Sequence, residues 1–295
     1  MVCYLAAGTA LLVLGRDRVY AGGFVVHLAV LAAMSVATFT RRVPAWLTAW
    51  APLIALLFLY TELPMLIRAA GHGQFYDMTV MSWETRVFDG QPAFQWAMSM
   101  PSRLLSETLH AAYLSYYAII FSVPAALWLG NRRREFSEAV FVLMLTFVAC
   151  FICFIAFPVE GPRYLREGSA PAGPLRQLTL SLLEARSSRG TAFPSSHVAV
   201  ATTQSLLACW YFGRRGVVVG IFALGLALGA VYGGFHYAID VIVGAVLGAL
   251  LMPAGLALSR LMDRSSGQAN ATAPTNPLPA AEYGSSTSSS GTAST

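Results

Sequence analysis

Between Tyr20 and Thr40 this chain carries no charged side chain, and apolar runs of similar length recur along it. About 20 apolar residues is the length of helix that crosses a bilayer. Within hydrocarbon each backbone polar group must be satisfied inside its own segment, so runs that are apolar throughout are read as helices. The runs lie at 20–40, 44–66, 107–129, 137–157, 195–213, 216–233 and 236–257. Residues 2–14 form a shorter one, either a short helix or the end of a longer one. No basic residue precedes it, which speaks against a cleaved signal segment. The expected fold is therefore all-α, a polytopic membrane helical bundle of about eight transmembrane helices. Only 11% of residues are charged, against about 25% in soluble domains, which excludes an ordinary soluble protein.

Every basic residue is arginine, so any catalytic cation here is Arg or His. The net charge of +5 is dispersed along the chain, and no nucleic-acid partner is expected. With eight spans, Arg41–Arg42, Arg132–Arg134, Arg214–Arg215 and Arg260/Arg264 fall on one side. The bias of arginine toward cytoplasmic loops makes that side, and both termini, cytoplasmic. The loop 158–194 is then outside, yet it holds Arg163, Arg166, Arg176, Arg186 and Arg189. Either it is simply solvated, or some of these bind phosphate at the outer membrane face.

Residues 70–106 mix aromatic, acidic and apolar positions and read as an interfacial or re-entrant segment. Glu107, His110, Tyr113 and Tyr117 share a helix face, either an aromatic interfacial belt or a polar wall of a head-group site. His27 lies in an apolar run without an evident partner and is expected to be packed and hydrogen-bonded. Glu62 is either functional or paired with Arg68. Cys150 and Cys153 lie inside a helix and suit packing better than redox or metal chemistry. The pairs Gly216/Gly220, Gly225/Gly229 and Gly244/Gly248 suit close helix packing within the chain. From Ser265 onward the composition is that of a disordered tail.

The richest stretch runs from Thr191 to Gly244. It holds Phe-Pro-Ser-Ser-His at 193–197 and Phe-His-Tyr-Ala-Ile-Asp at 235–240. Asp240 follows His236 by four residues, which stacks the two on one helix face. A carboxylate beside an imidazole fixes its tautomer and raises its basicity, as a nucleophilic or basic His requires. Ser195 and Ser196 open the helix that carries His197, and a helix start offers free N–H groups to a phosphate.

Pro194-Ser195-Ser196-His197 followed by His236-x3-Asp240 resembles the type-2 phosphatidic acid phosphatase superfamily, and within it the branch similar to inositol phosphorylceramide synthases. Arg163 matches the arginine of the family's first motif, with Ala156 where its Lys stands and Tyr164 where its Pro stands. Ser196 replaces the Gly of the second motif, and Ala230 replaces the Arg of the third. The resemblance implies a six-helix lipid-phosphatase-like core over 44–257, with 1–43 as extra N-terminal membrane helices and 258–295 as a cytoplasmic tail. It implies catalysis by His236, Asp240 and His197, with phosphate held by Arg163, Ser195 and Ser196, and no metal or other cofactor; Arg189, or else Arg186, is expected to supply a lost phosphate-binding charge. The substrate would be a membrane lipid phosphate ester, handled at the outer face of the cell membrane through a phosphohistidine. The two missing cations tilt the expectation slightly toward transfer of a phospho-head-group and away from hydrolysis. A polytopic transporter and a catalytically inactive scaffold are the other classes.

Overall fold

The computed structural model of the chain describes residues 1–15, 21–40, 43–71, 73–165, 169–186 and 188–272. Arg16, Arg18, Arg41, Arg42, Arg166 and the tail from 273 onward lie outside the described residues, as does any role expected of them. Thirteen α-helices occur among the described residues. They are α1 (Val2–Leu14), α2 (Ala21–Phe39), α3 (Ala45–Ala69), α4 (Asp77–Phe88), α5 (Pro92–Ser99), α6 (Arg103–Leu114) and α7 (Tyr116–Leu129). There follow α8 (Arg133–Ala156), α9 (Pro162–Leu165), α10 (Pro174–Arg186), α11 (Ser196–Phe212), α12 (Val217–Tyr232) and α13 (Ala238–Thr272). Met1–Ser259 form one compact unit, and Arg260 onward forms a second that holds the end of α13.

By length and composition five helices among the described residues suffice to cross a membrane, or six if the bent α3 counts as one span. That is fewer than the eight expected. At 13 residues α1 is short of the roughly 20 that a span needs. The spans expected at 195–213 and 216–233 are α11 and α12, which the count takes as a single apolar stretch, Ser196–Tyr232. A 3₁₀ turn at Gly213–Gly216 joins them. A Cβ on Gly216 would stand 2.3 Å from the Cys209 nitrogen, and one on Gly220 2.9 Å from Ser205 Oγ, so α12 folds back along α11.

The glycine pairs do bring helix backbones together inside the chain. A Cβ on Gly229 would stand 2.4 Å from the Leu109 carbonyl oxygen, where α12 meets α6. One on Gly244 would stand 2.5 Å from the Ser195 carbonyl oxygen, and one on Gly248 2.2 Å from that of Ala199. A methyl group at either site would push α13 off α11. This contact sets the first turn of α11, which carries His197, beside the first turn of α13, which carries Asp240. The Ser195 N–H donates to the Asp240 carbonyl oxygen at 3.0 Å.

Residues 70–106 fold largely into α4 and α5, both far shorter than a span. Met78, Val87, Met98 and Met100 stand exposed on and just after them, as suits helices lying along an apolar boundary. His27 is fully buried, with Nδ1 2.7 Å from Glu62 Oε2 and Nε2 3.0 Å from Thr9 Oγ1. Glu62 therefore pairs with His27 and not with Arg68, whose Nε donates to the Pro64 carbonyl. An exposed Arg at the helix end gains little from reaching a buried carboxylate, whereas an imidazole across the α2–α3 contact already faces it.

Candidate active site

The geometry begins in three irregular segments, because backbone that leaves a helix can place side chains no helix face could align. The segment 157–163 runs from the end of α8 into the short α9, the segment 188–195 precedes α11, and 233–237 joins α12 to α13. The first two are laced by a parallel bridge between Val159 and Thr191, with the Ala192 N–H donating to the Val159 carbonyl at 2.8 Å. Gly161 has φ +95°, and a Cβ there would stand 3.2 Å from the Phe235 carbonyl oxygen. An L side chain meets strain at that φ and crowding at that distance, so glycine is what lets the first and third segments touch.

His236 lies at this junction, 5% exposed. Its Nδ1 is 3.1 Å from the Ala192 carbonyl oxygen and 3.5 Å from Asp240 Oδ2. The Ala192 carbonyl can only accept, so Nδ1 carries the proton and Nε2 keeps a free lone pair. Burial, and after it the Arg163 guanidinium, push the His236 imidazole down to about 4, the Ala192 contact opposing them. It is thus held neutral at physiological pH, with the Nε2 lone pair free. Asp240 is wholly buried and accepts the Tyr237 N–H at Oδ2, 2.9 Å. The i, i+4 pair read from the sequence does meet, and the Ala192 carbonyl adds a second acceptor at the same ring nitrogen.

The His197 ring lies 5.7 Å from that of His236, centroid to centroid. It stacks on Tyr113 at 5.4 Å and tilts against Tyr116 at 4.3 Å. Both histidines line one cavity of about 180 Å³, together with Arg163, Tyr60, Thr191 and Ser188. Its remaining wall is largely apolar, with Leu53, Leu56, Ile120, Phe147 and Leu183 among the contributors, and Glu160 and Thr61 also border it. A polar end holding two histidines and an arginine therefore opens onto a hydrocarbon-lined space.

The other expected residues distribute unevenly. Arg163 lies over the Tyr164 ring at 4.4 Å and borders the cavity. Arg189 forms an ion pair with Glu160 and borders a neighbouring cavity with Arg68 instead. Ser195 and Ser196 are fully buried. Ser195 Oγ accepts the Val198 N–H at 3.4 Å as the N-cap of α11, and Ser196 Oγ lies 3.5 Å from the Tyr60 hydroxyl. Neither serine borders the cavity described. Of the face on α6 and α7, Tyr113 and Tyr117 border it. Glu107 instead accepts the Leu175 N–H at 2.9 Å and the Arg176 N–H at 3.2 Å, capping α10, while His110 turns to the Ser106 carbonyl at 2.6 Å. Cys150 packs in the core, and Arg186 contributes the last residue of α10.

Tyr60, Thr191 and Asp77 were not singled out by sequence reasoning. Tyr60 sits in an apolar run 137 positions before His197 in sequence, and no local spacing links them. Asp77 is the first residue of α4. Its only local signal is an acidic residue in a first helical turn.

A family model described as the PAP2 superfamily matches residues 78–254. No curated protein and no solved structure matches the chain. The matched residues hold both histidines, Asp240 and Arg163, while Tyr60 lies before them.

Proposed function

The chain belongs to the PAP2 superfamily, and we propose that it is a membrane enzyme acting on a lipid phosphate ester through a phosphohistidine at His236. A lipid phosphatase-type function follows from the family; the intermediate, the acceptor and the sidedness are the proposal. The observation that supports it best is the pair of histidines 5.7 Å apart, lining with Arg163 a largely apolar cavity.

In the first step His236 Nε2 attacks phosphorus. The N–P bond forms while the bond from phosphorus to the lipid oxygen breaks, and His197 gives that oxygen a proton. Asp240 and the Ala192 carbonyl hold the Nδ1 proton, which keeps the tautomer and steadies the cation that forms. Arg163 answers the charge spread over the transferring group. In the second step a hydroxyl, from water or from an acceptor molecule, attacks phosphorus and returns its proton to His197 as the N–P bond breaks. Transfer to a hydroxyl acceptor such as inositol is favoured slightly over hydrolysis. Ala156 and Ala230 leave the site short of two cations that the family's motifs provide, and loss of the third-motif arginine at Ala230 is similar to the inositol phosphorylceramide synthase-like branch. The roles proposed for Ser195, Ser196 and Arg189 narrow accordingly. The serines support the α11 start, and Arg189 neutralises Glu160 beside Arg163.

The chemistry is placed at the outer face of the cell membrane, with both termini cytoplasmic. A cysteine at Ser169, which is exposed, should react with a membrane-impermeant maleimide added to intact cells. One at Gly213, in the turn beside Arg214 and Arg215, should react only after permeabilisation. The reverse pattern would put the site in the cytoplasm.

The depressed imidazole supplies a further expectation. A histidine whose protonation midpoint is lowered stays neutral, and so reactive, down to that midpoint. Diethyl pyrocarbonate attacks neutral imidazole, so its rate at His236, mapped by mass spectrometry, should hold from pH 8 down to about pH 5 and fall near about 4. A fall centred at 6–7 would show an ordinary, solvated histidine.

A further inference from the structure

Two buried carboxylates outside the catalytic set lie on one face of α4. Asp77 is 4% exposed and Glu84 fully buried, with the apolar Val80, also fully buried, between them. Spacings of three, four and seven residues place all three on one stripe of a helix. A buried carboxylate is costly unless its oxygens are hydrogen-bonded, so what these oxygens hold is informative.

Asp77 Oδ2 accepts the Glu160 N–H at 3.0 Å and Oδ1 the Gly161 N–H at 2.9 Å. Oδ1 also accepts the Tyr237 hydroxyl at 3.0 Å. One side chain therefore grips the segment that carries Arg163 and the residue next to His236. Glu84 Oε1 accepts the Ala238 N–H, at the first turn of the helix that carries Asp240. Its other oxygen is buried with no hydrogen-bond partner among the described residues. The Tyr76 N–H adds a backbone link to the Pro158 carbonyl at 2.9 Å, and the Tyr76 ring stacks on Phe157 at 4.4 Å. Trp83, between the two carboxylates, packs on Phe157 and Phe193 at 5.7 and 5.8 Å.

We infer that α4 is a clamp whose Asp77 and Glu84 are positioning residues, fixing the Arg163 segment and the His236–Asp240 helix start at the separation that phosphoryl transfer needs. The inference rests on the function proposed above. Neither carboxylate borders the catalytic cavity, so both act through the groups they hold. The connection is continuous: Asp77 holds Gly161, Val159 beside it holds Ala192, and the Ala192 carbonyl orients His236. An arginine displaced by about 1 Å from a transferring phosphoryl group costs on the order of a hundredfold in rate. An uncharged partner at Glu84 also suits its environment. Burial, with Asp240 nearby opposing ionisation, carries its carboxyl up to about 7 against the pull of the Ala238 N–H.

The test has two independent readouts on the full-length protein in detergent. Asp77→Asn puts an NH2 group against one of the N–H donors, and should lower kcat about a hundredfold while leaving KM within about threefold, because substrate binding is spared and transition-state alignment is not. Inhibition by vanadate, which takes the shape of the transferring phosphoryl group, should weaken in step with kcat. Tyr237→Phe removes a single donor at constant shape and should lower kcat less. Glu84→Gln keeps the carbonyl acceptor and should keep most of kcat, whereas Glu84→Leu should lose it. Hydrogen exchange should speed up at the Glu160 and Gly161 amides in Asp77→Asn and at Ala238 in Glu84→Leu, with α8 and α11 unchanged. Wild-type kcat and vanadate affinity in Asp77→Asn and Glu84→Leu would overturn the clamp and leave the enzyme standing. Unchanged exchange at those amides would overturn it as well. No lipid-phosphate turnover by the wild-type chain, with exchange altered as described, would overturn the proposed function and the positioning role with it.

Discussion

His236→Ala is expected to lower turnover of a lipid phosphate ester by at least about 10⁴-fold, with the protein still folded. In the proposed mechanism the ring it removes supplies the Nε2 lone pair that attacks phosphorus, and no other group described in the cavity stands ready to replace it. His197 faces the same cavity but has the other task, and the hydroxyls of Tyr60 and Thr191 are poor nucleophiles without a base beside them. Folding should survive, because the His236 ring contributes one hydrogen bond to a backbone carbonyl and the surrounding contact of α13 with α11 is made by Gly244 and Gly248. Turnover, detergent-exchange chromatography and thermal unfolding measured together separate loss of chemistry from loss of structure. Wild-type turnover in this variant would end the covalent mechanism whichever acceptor is used.

His197→Ala is expected to lower turnover of a natural lipid ester by about 10²- to 10⁴-fold, the usual range for a lost general acid. The more telling outcome is its dependence on the leaving group. An alkoxide that departs without a proton is a poor leaving group, whereas a nitrophenolate departs unaided. The deficit should therefore shrink toward wild type on an aryl phosphate with an acidic phenol, and the phosphorylated form of the enzyme should still appear. Equal deficits on both substrates would make His197 a binding or packing residue, held as it is between Tyr113 and Tyr116.

Which parts of this site were legible in the sequence follows from how far apart the partners lie. His236 and Asp240 are four residues apart across the start of α13, so their meeting is a local property. The glycine pairs announce close packing through their own spacing, though not which helix they pack against. That α13 packs on α11 and brings Ser195 to Asp240 required the tertiary structure. Pairings across long separations were not visible: His27 with Glu62, Asp77 with Gly161, Glu84 with Ala238. In each case a buried polar group could have been satisfied by several partners, and only topology chose one. Arg189 carries the same lesson. An arginine in the loop 158–194 suits a phosphate, but Glu160 on the neighbouring segment forms an ion pair with it. Ser195 and Ser196 open the helix as expected, yet their hydroxyls turn inward to cap it and to meet Tyr60. The count by length and composition differs from the eight expected partly because α11 and α12, 17 and 16 residues long, are taken together as the one stretch Ser196–Tyr232.

The central claim is that phosphorus becomes bonded to His236 during turnover. Purified protein supplied with a lipid ester labelled in its phosphate, quenched within the first turnovers by alkali and digested, should release one labelled peptide containing His236, stable to base and labile to acid. The His197→Ala variant given an aryl phosphate should yield the same peptide, and His236→Ala should yield none. Turnover by the wild-type chain with no labelled peptide, or label that persists in His236→Ala, would contradict the account.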